Sequence, residues 1–189
     1  MEPKWPLYEV AGDDAVFALG VVSINYTRFE RTHVWMLAAV ANMAEEHAAL
    51  FTARTNAADR ANVIETFFKR KKWSAEVAAA IKTYIDATRI LVTNRNTLIH
   101  GNMVRGPNNQ AGIFSLNRKG ETTMFQASLP EIRQVADDLF NYFEFGLALS
   151  NHIASEIHAA ARVAGMMVVR NCPILPTIPV HINPSQRKL

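Results

Sequence analysis

Residues 74–101 read SAEVAAAIKTYIDATRILVTNRNTLIHG, and this stretch decides the fold. Apolar or aromatic side chains recur at alternating spacings of four and three: Val77, Ile81, Tyr84, Thr88, Leu91, Arg95, Leu98. That period belongs to a helix with one buried face. Ser74 is placed to cap it, Glu76 sits in its first turn where an anion suits the helix dipole, and Gly101 stops it, with Pro107 beyond.

The same period recurs upstream. From Asp13 or Asp14, read as the cap, a stripe runs Ala15, Leu19, Val22, Tyr26, Phe29, His33, Met36, Val40, Met43. The adjacent row, Gly20, Ser23 and Thr27, is small and lets another helix come close. Two shorter helices are expected at roughly 44–53 and 57–71. Downstream, Ser128 or Leu129-Pro130 opens a last long helix to about residue 164, with Ile132, Val135, Leu139, Phe143 and Ile153 inward. Between the two later helices, Ile113–Leu116 and Thr122–Phe125 flank Asn117-Arg118-Lys119-Gly120, the pattern of a β-hairpin. An isolated hairpin is marginal, so this one must lie on the helices.

The expected fold is all-α: an up-and-down bundle of about five helices with a hairpin inserted at about 111–126. A short arm (1–12) precedes the helical domain (13–164). A tail (165–189) holding four of the eight prolines follows, extended and free to wrap a neighbour.

Composition sets limits. A chain of 189 residues, 49% hydrophobic and 20% charged, has the make-up of one globular domain with a proper core. A net charge of +3 permits a nucleic-acid partner without arguing for one. One cysteine excludes an internal disulfide and a cysteine zinc site, and fits a reducing, cytoplasmic setting. Neither a signal peptide nor an apolar run long enough to span a membrane is expected.

Arg95 breaks its own stripe. A buried guanidinium without a partner costs several kcal/mol, so it calls for a carboxylate or an anionic ligand, unless it snorkels to the surface near the helix end. His100 precedes Gly101, where a histidine also serves to bond the last free carbonyls before a left-handed glycine. At about 100° per residue, Arg95 and His100 lie some 140° apart, so one helix alone makes a poor site of them. Asn96 lies beside His100, and two copies of the helix end meeting on a two-fold axis would make the site composite.

Other candidates are weaker. Glu30 becomes a supporting carboxylate for Arg95 if the first and motif helices pack, and otherwise pairs at the surface. Lys69, Arg70, Lys71 and Lys72, beside Phe67, Phe68 and Trp73, suit phosphates and stacked bases, or simply form a solvated helix end. Glu30-Arg31-Thr32-His33 has the spacing of a carboxylate-bundle metal ligand pair, but Glu156-Ile157-His158 does not supply the matching unit. No metal or cofactor is expected, and His33 is read as a satisfied core histidine.

The segment Asn94-Arg95-Asn96-Thr97-Leu98-Ile99-His100-Gly101 resembles the signature of the HEPN superfamily: an Arg, a polar residue, then a His four to six positions after the Arg near a helix end. With the order of helices, the resemblance covers roughly residues 13–163. It implies an all-α homodimer and a metal-independent endoribonuclease acting through Arg95 and His100, with support from Asn96, Glu30 and Asn102. The implied chemistry is attack by an RNA 2′-OH to leave a 2′,3′-cyclic phosphate. It further implies a toxin–antitoxin or bacterial defence role, with an antitoxin or inhibitor protein as a possible partner. The alternative is a catalytically inactive dimer that binds RNA, nucleotides or protein. Some members carry a Tyr two residues after the His; here that position is Asn102.

Overall fold

The computed structural model describes residues 12–105, 111–116, 122–161 and 171–182. Among them lie five helices, α1 (Asp13–Ala41), α2 (Glu45–Thr52), α3 (Ala57–Phe68), α4 (Ala75–His100) and α5 (Leu129–Ala161), and three strands, β1 (Asn102–Arg105), β2 (Ala111–Leu116) and β3 (Thr122–Ala127). The all-α bundle with an inserted hairpin is the observed architecture. The hairpin tip at 117–121, the arm at 1–11 and residues 162–164 lie outside the described residues.

The long helices bury the faces that their spacing marks. Val22, Tyr26, Phe29, His33, Met36 and Val40 of α1 are buried, as are Val77, Ile81, Tyr84, Thr88, Leu91 and Leu98 of α4 and Ile132, Val135, Leu139 and Ile153 of α5. The largest helix interface joins α1 and α5. Their directions follow from residue pairs: Arg133 meets Asp14 at 3.9 Å, the Asn25 side-chain amide donates to the Ala136 carbonyl at 3.0 Å, and Gly146 lies against Thr32. These pairs advance together, so α1 and α5 run parallel. Tyr84 meets Thr32 and Arg95 meets Tyr26, so α4 runs antiparallel to both.

Helix ends show why the elements stop where they do. Gly12, not Asp13 or Asp14, caps α1, with no side-chain bond; the two aspartates occupy the first turn, where their charge faces the helix N-terminus. At the other end Asn42 takes a left-handed conformation (φ 55°), and the Met43 amide returns to the Ala38 carbonyl at 3.0 Å. Helix α3 ends at Phe68 and not at 71, because the Trp73 indole N–H captures the Phe68 carbonyl at 2.9 Å. Ser74 accepts from the Val77 amide, as its position implies. Ser128 and Glu131 form a reciprocal cap on α5: the Glu131 carboxylate accepts from the Ser128 amide at 2.8 Å, and Ser128 Oγ accepts from the Glu131 amide at 3.4 Å.

Two expectations need correcting. Gly101 is extended (φ −72°, ψ 140°), not left-handed, because the chain passes straight from α4 into a strand. That strand, β1, makes the expected hairpin a three-stranded antiparallel sheet in the order β1-β2-β3, with Asn102 opposite Phe114 and Ile113 opposite Phe125. Fully buried Ile113 seats the sheet on the core.

The tail segment 171–182 has no helix or strand and lies on its own bundle. Buried Asn94 grips it at both ends of one amide: Nδ2 donates to the Val180 carbonyl at 2.8 Å, and Oδ1 accepts from the Ile182 amide at 3.1 Å. The Tyr142 hydroxyl donates to the Thr177 carbonyl at 3.3 Å. These bonds consume backbone groups that would otherwise be available to a neighbour.

Candidate functional site

Arg95 stands in the penultimate turn of α4, half-buried, and its guanidinium lies over the ring of Tyr26 on α1, 4.5 Å from the ring centroid. Tyr26 is itself buried, so the cation rests on an aromatic face held rigid by the core. One nitrogen, Nη1, donates to Asn96 Oδ1 at 3.0 Å and to His100 Nε2 at 2.9 Å. Asn96 and His100 are exposed. Nε of Arg95 is buried and has no hydrogen-bond partner among the described residues.

Sequence spacing placed Arg95 and His100 about 140° apart, yet they touch within one chain. The helical angle fixes where Cβ points, not where a long side chain ends. Five residues rise only about 7.5 Å, which an arginine spans by folding along the last turn. A second chain is therefore not needed to bring these two groups together.

The contact has a chemical consequence. Guanidinium carries donors and no acceptor, so the imidazole nitrogen it meets is the acceptor. In this arrangement the His100 ring proton sits on Nδ1, and Nε2 presents a lone pair. A base and a fixed cation thus share one exposed corner.

Glu30 does not serve Arg95. Its carboxylate accepts from Arg60 Nη1 at 2.7 Å, while Arg60 Nε donates to the Thr52 and Thr55 carbonyls at 3.1 Å each. Arg60 thereby ties the α2–α3 turn to α1 and takes the carboxylate that spacing assigned to Arg95. Glu30 still acts at a distance: burial foremost, then its charge, pushes the Tyr26 phenol above its ordinary range, while Arg95 and Arg60 pull the other way. No carboxylate bonds Arg95 among the described residues, so the aromatic face is what supports the cation there.

The basic run lies elsewhere. Lys69 pairs with Glu65 at 2.8 Å, Arg70 lies over Phe67 at 5.4 Å, and Lys71 over Trp73 at 5.6 Å. Ser74 and Arg95 are separated by about 32 Å of helix at 1.5 Å per residue, so Lys69–Lys72 do not join the Arg95 corner. Asn102 follows directly as the first residue of β1; its side chain lies outside the described residues.

His33 is fully buried, but it is not satisfied: neither ring nitrogen has a partner among the described residues. Phe29 packs edge-on at 4.9 Å and Tyr84 at 6.1 Å. Burial, helped by the Arg60 charge, pulls its pKa down to about 3. No cluster of three or more His, Cys, Asp and Glu placed to hold a metal occurs among the described residues.

Two open grooves, of about 380 Å³ between α5 and the tail and about 530 Å³ beside Trp35 and Met43, do not include Arg95, Asn96 or His100. The Arg95 corner is a surface site, a form suited to a polymer more than to a small molecule that needs enclosure. No helix among the described residues is long and apolar enough to cross a membrane. Tyr26 is the residue that spacing alone did not single out: it lay in the stripe as one more core aromatic, and only helix packing places it beneath a cation. Comparison with protein-family models, with curated proteins and with solved structures found no match to this chain.

Proposed function

We propose that this chain is a metal-independent endoribonuclease that works as a homodimer, with Arg95 and His100 at its reacting centre. The contact between Arg95 Nη1 and His100 Nε2 at 2.9 Å is the observation that carries the reading. It supports a site in which a base and an anion-binding cation already stand side by side.

In this proposal a phosphate of bound RNA draws the Arg95 guanidinium to its oxygens, a bidentate match of fork to anion. His100 Nε2, released from Arg95, takes the proton of the neighbouring 2′-OH. The 2′-oxygen attacks phosphorus and the bond to the 5′-oxygen breaks, leaving a 2′,3′-cyclic phosphate and a 5′-hydroxyl end. The partner subunit's His100, protonated, gives its proton to the leaving oxygen. Arg95 stabilises the charge that grows on the phosphoryl oxygens, and Asn96 keeps the imidazole or the phosphate in line.

The same contact supports a second reading. While Arg95 holds Nε2, that nitrogen cannot accept from a 2′-OH. A chain that keeps the bond with RNA present binds phosphate without cutting, and is then a binding protein.

The test uses the full chain with mixed RNA in EDTA. Cleavage by the wild type, abolished in both Arg95→Ala and His100→Ala, supports the nuclease. Cleavage that survives in either variant contradicts it. RNA retained on the protein without cleavage supports the second reading.

A further inference from the structure

We infer that the outward stripe of α1 is a self-association surface whose occupant is a second copy of this chain, lying antiparallel. The stripe comprises Asp13, Val16, Phe17, Gly20, Ile24, Thr27, Arg28 and Arg31, all exposed. At about 100° per residue they fall within a band of roughly 120° opposite the buried face of the same helix.

The middle of the band is apolar where solvent would favour polar residues. Phe17 is 75% exposed, Ile24 58% and Val16 50%. Between them sits Gly20, where an added Cβ would meet nothing within 4 Å. No helix of this chain fills that notch, so the close approach implied by the small residues is met by no described residue. Contiguous exposed apolar side chains flanking an open notch mark a surface that another protein covers.

Charge order selects the occupant. The band opens with Asp13 and closes with Arg28 and Arg31, the latter resting partly over Trp35 at 5.5 Å. A sequence running acid, apolar, base is complementary to itself only when reversed. A parallel copy would set acid against acid and base against base, whereas a two-fold pair sets each acid against a base twice. In the register that places Asp13 opposite the partner subunit's Arg31, Gly20 faces the partner subunit's Ile24, and Phe17 faces the partner subunit's Thr27. The bulky side chain then enters the notch.

This pairing has a consequence for the Arg95 corner. An antiparallel pair has its two-fold axis perpendicular to both helices, so the same flank of each α1 stays on one side of the dimer. The flank bearing Ser23 leads round to Tyr26, beneath Arg95. Both Arg95–His100 pairs thus open on one common face, within reach of a single strand. The surface is argued from α1 alone and stands whether or not those pairs cut RNA.

The test reads mass, not cleavage. The full chain at micromolar concentration is expected to sediment as a dimer. Phe17→Asp with Ile24→Asp, at positions that the fold leaves open, is expected to give a monomer with an unchanged far-UV spectrum. Arg28→Asp with Arg31→Asp weakens the dimer at least tenfold at low salt, and adding Asp13→Arg to the same chain restores it. A monomeric wild type overturns the proposal, including one whose stripe is covered by its own first eleven residues or by another protein. So does a dimer that survives the two aspartates on the stripe, or a charge reversal without rescue.

Discussion

Arg95 donates to His100 across 2.9 Å while its guanidinium lies 4.5 Å above the ring of Tyr26, so one cation joins the end of α4 to the middle of α1. The ring is the part of this arrangement that substitutions can separate from the charge. A cation over an aromatic face is stabilised by about 0.5–2 kcal/mol, and tenfold in rate corresponds to about 1.4 kcal/mol.

Tyr26→Phe keeps the face and is expected to cleave RNA within about threefold of the wild type. Tyr26→Leu removes it, and cleavage is expected to fall by roughly tenfold. Rates measured at saturating RNA check this. Equal losses in the two variants would show that the hydroxyl, not the ring, supports Arg95.

His33 makes stability depend on acid. Its folded pKa is about 3, against 6.5 for an ordinary histidine. Between those values the unfolded chain binds a proton that the folded chain refuses. The stability is therefore fully present above pH 6.5 and is lost as pH falls toward 3. At 1.36 kcal/mol per unit, the loss at pH 4.5 is on the order of 3 kcal/mol. Urea unfolding at pH 7 and pH 4.5 measures it, and His33→Phe should flatten the slope. A slope that His33→Phe leaves intact would assign it to other groups.

Gly146 is buried where α5 meets α1 and α4. A Cβ there would come to 2.7 Å from Tyr84 Cε2 and 3.1 Å from Thr32 Oγ1. Helix propensity alone favours Gly→Ala by about 0.5–1 kcal/mol, while overpacking a tight core costs about 1–3 kcal/mol. The clash wins because Tyr84 is fixed by its bond to Thr32 and by full burial. Gly146→Ala should lower the urea midpoint without changing the slope. A raised midpoint would mean that the two helices separate easily.

The helices were legible because their stripes are long and local. Val22 to Val40 and Val77 to Leu98 each repeat the period through several turns, so a single discordant residue such as His33 or Arg95 does not hide it. The hairpin was legible from its turn residues. Strand β1 was not, because Asn102–Arg105 owes its form to partners nine to twelve positions away in β2, and four residues carry too little alternation to declare it. At the site, spacing found Arg95, Asn96 and His100 but misjudged how they meet. It also gave Glu30 to the wrong arginine, since Arg60 arrives through the α2–α3 turn, whose path no periodicity records.

The most direct measurement is the mass of the ends left on a short RNA of defined sequence after incubation with the chain in EDTA. The account predicts fragments ending in a 2′,3′-cyclic phosphate, paired with fragments beginning in a 5′-hydroxyl, and neither from Arg95→Ala or His100→Ala. Fragments beginning in a 5′-phosphate, or intact RNA throughout, would contradict it.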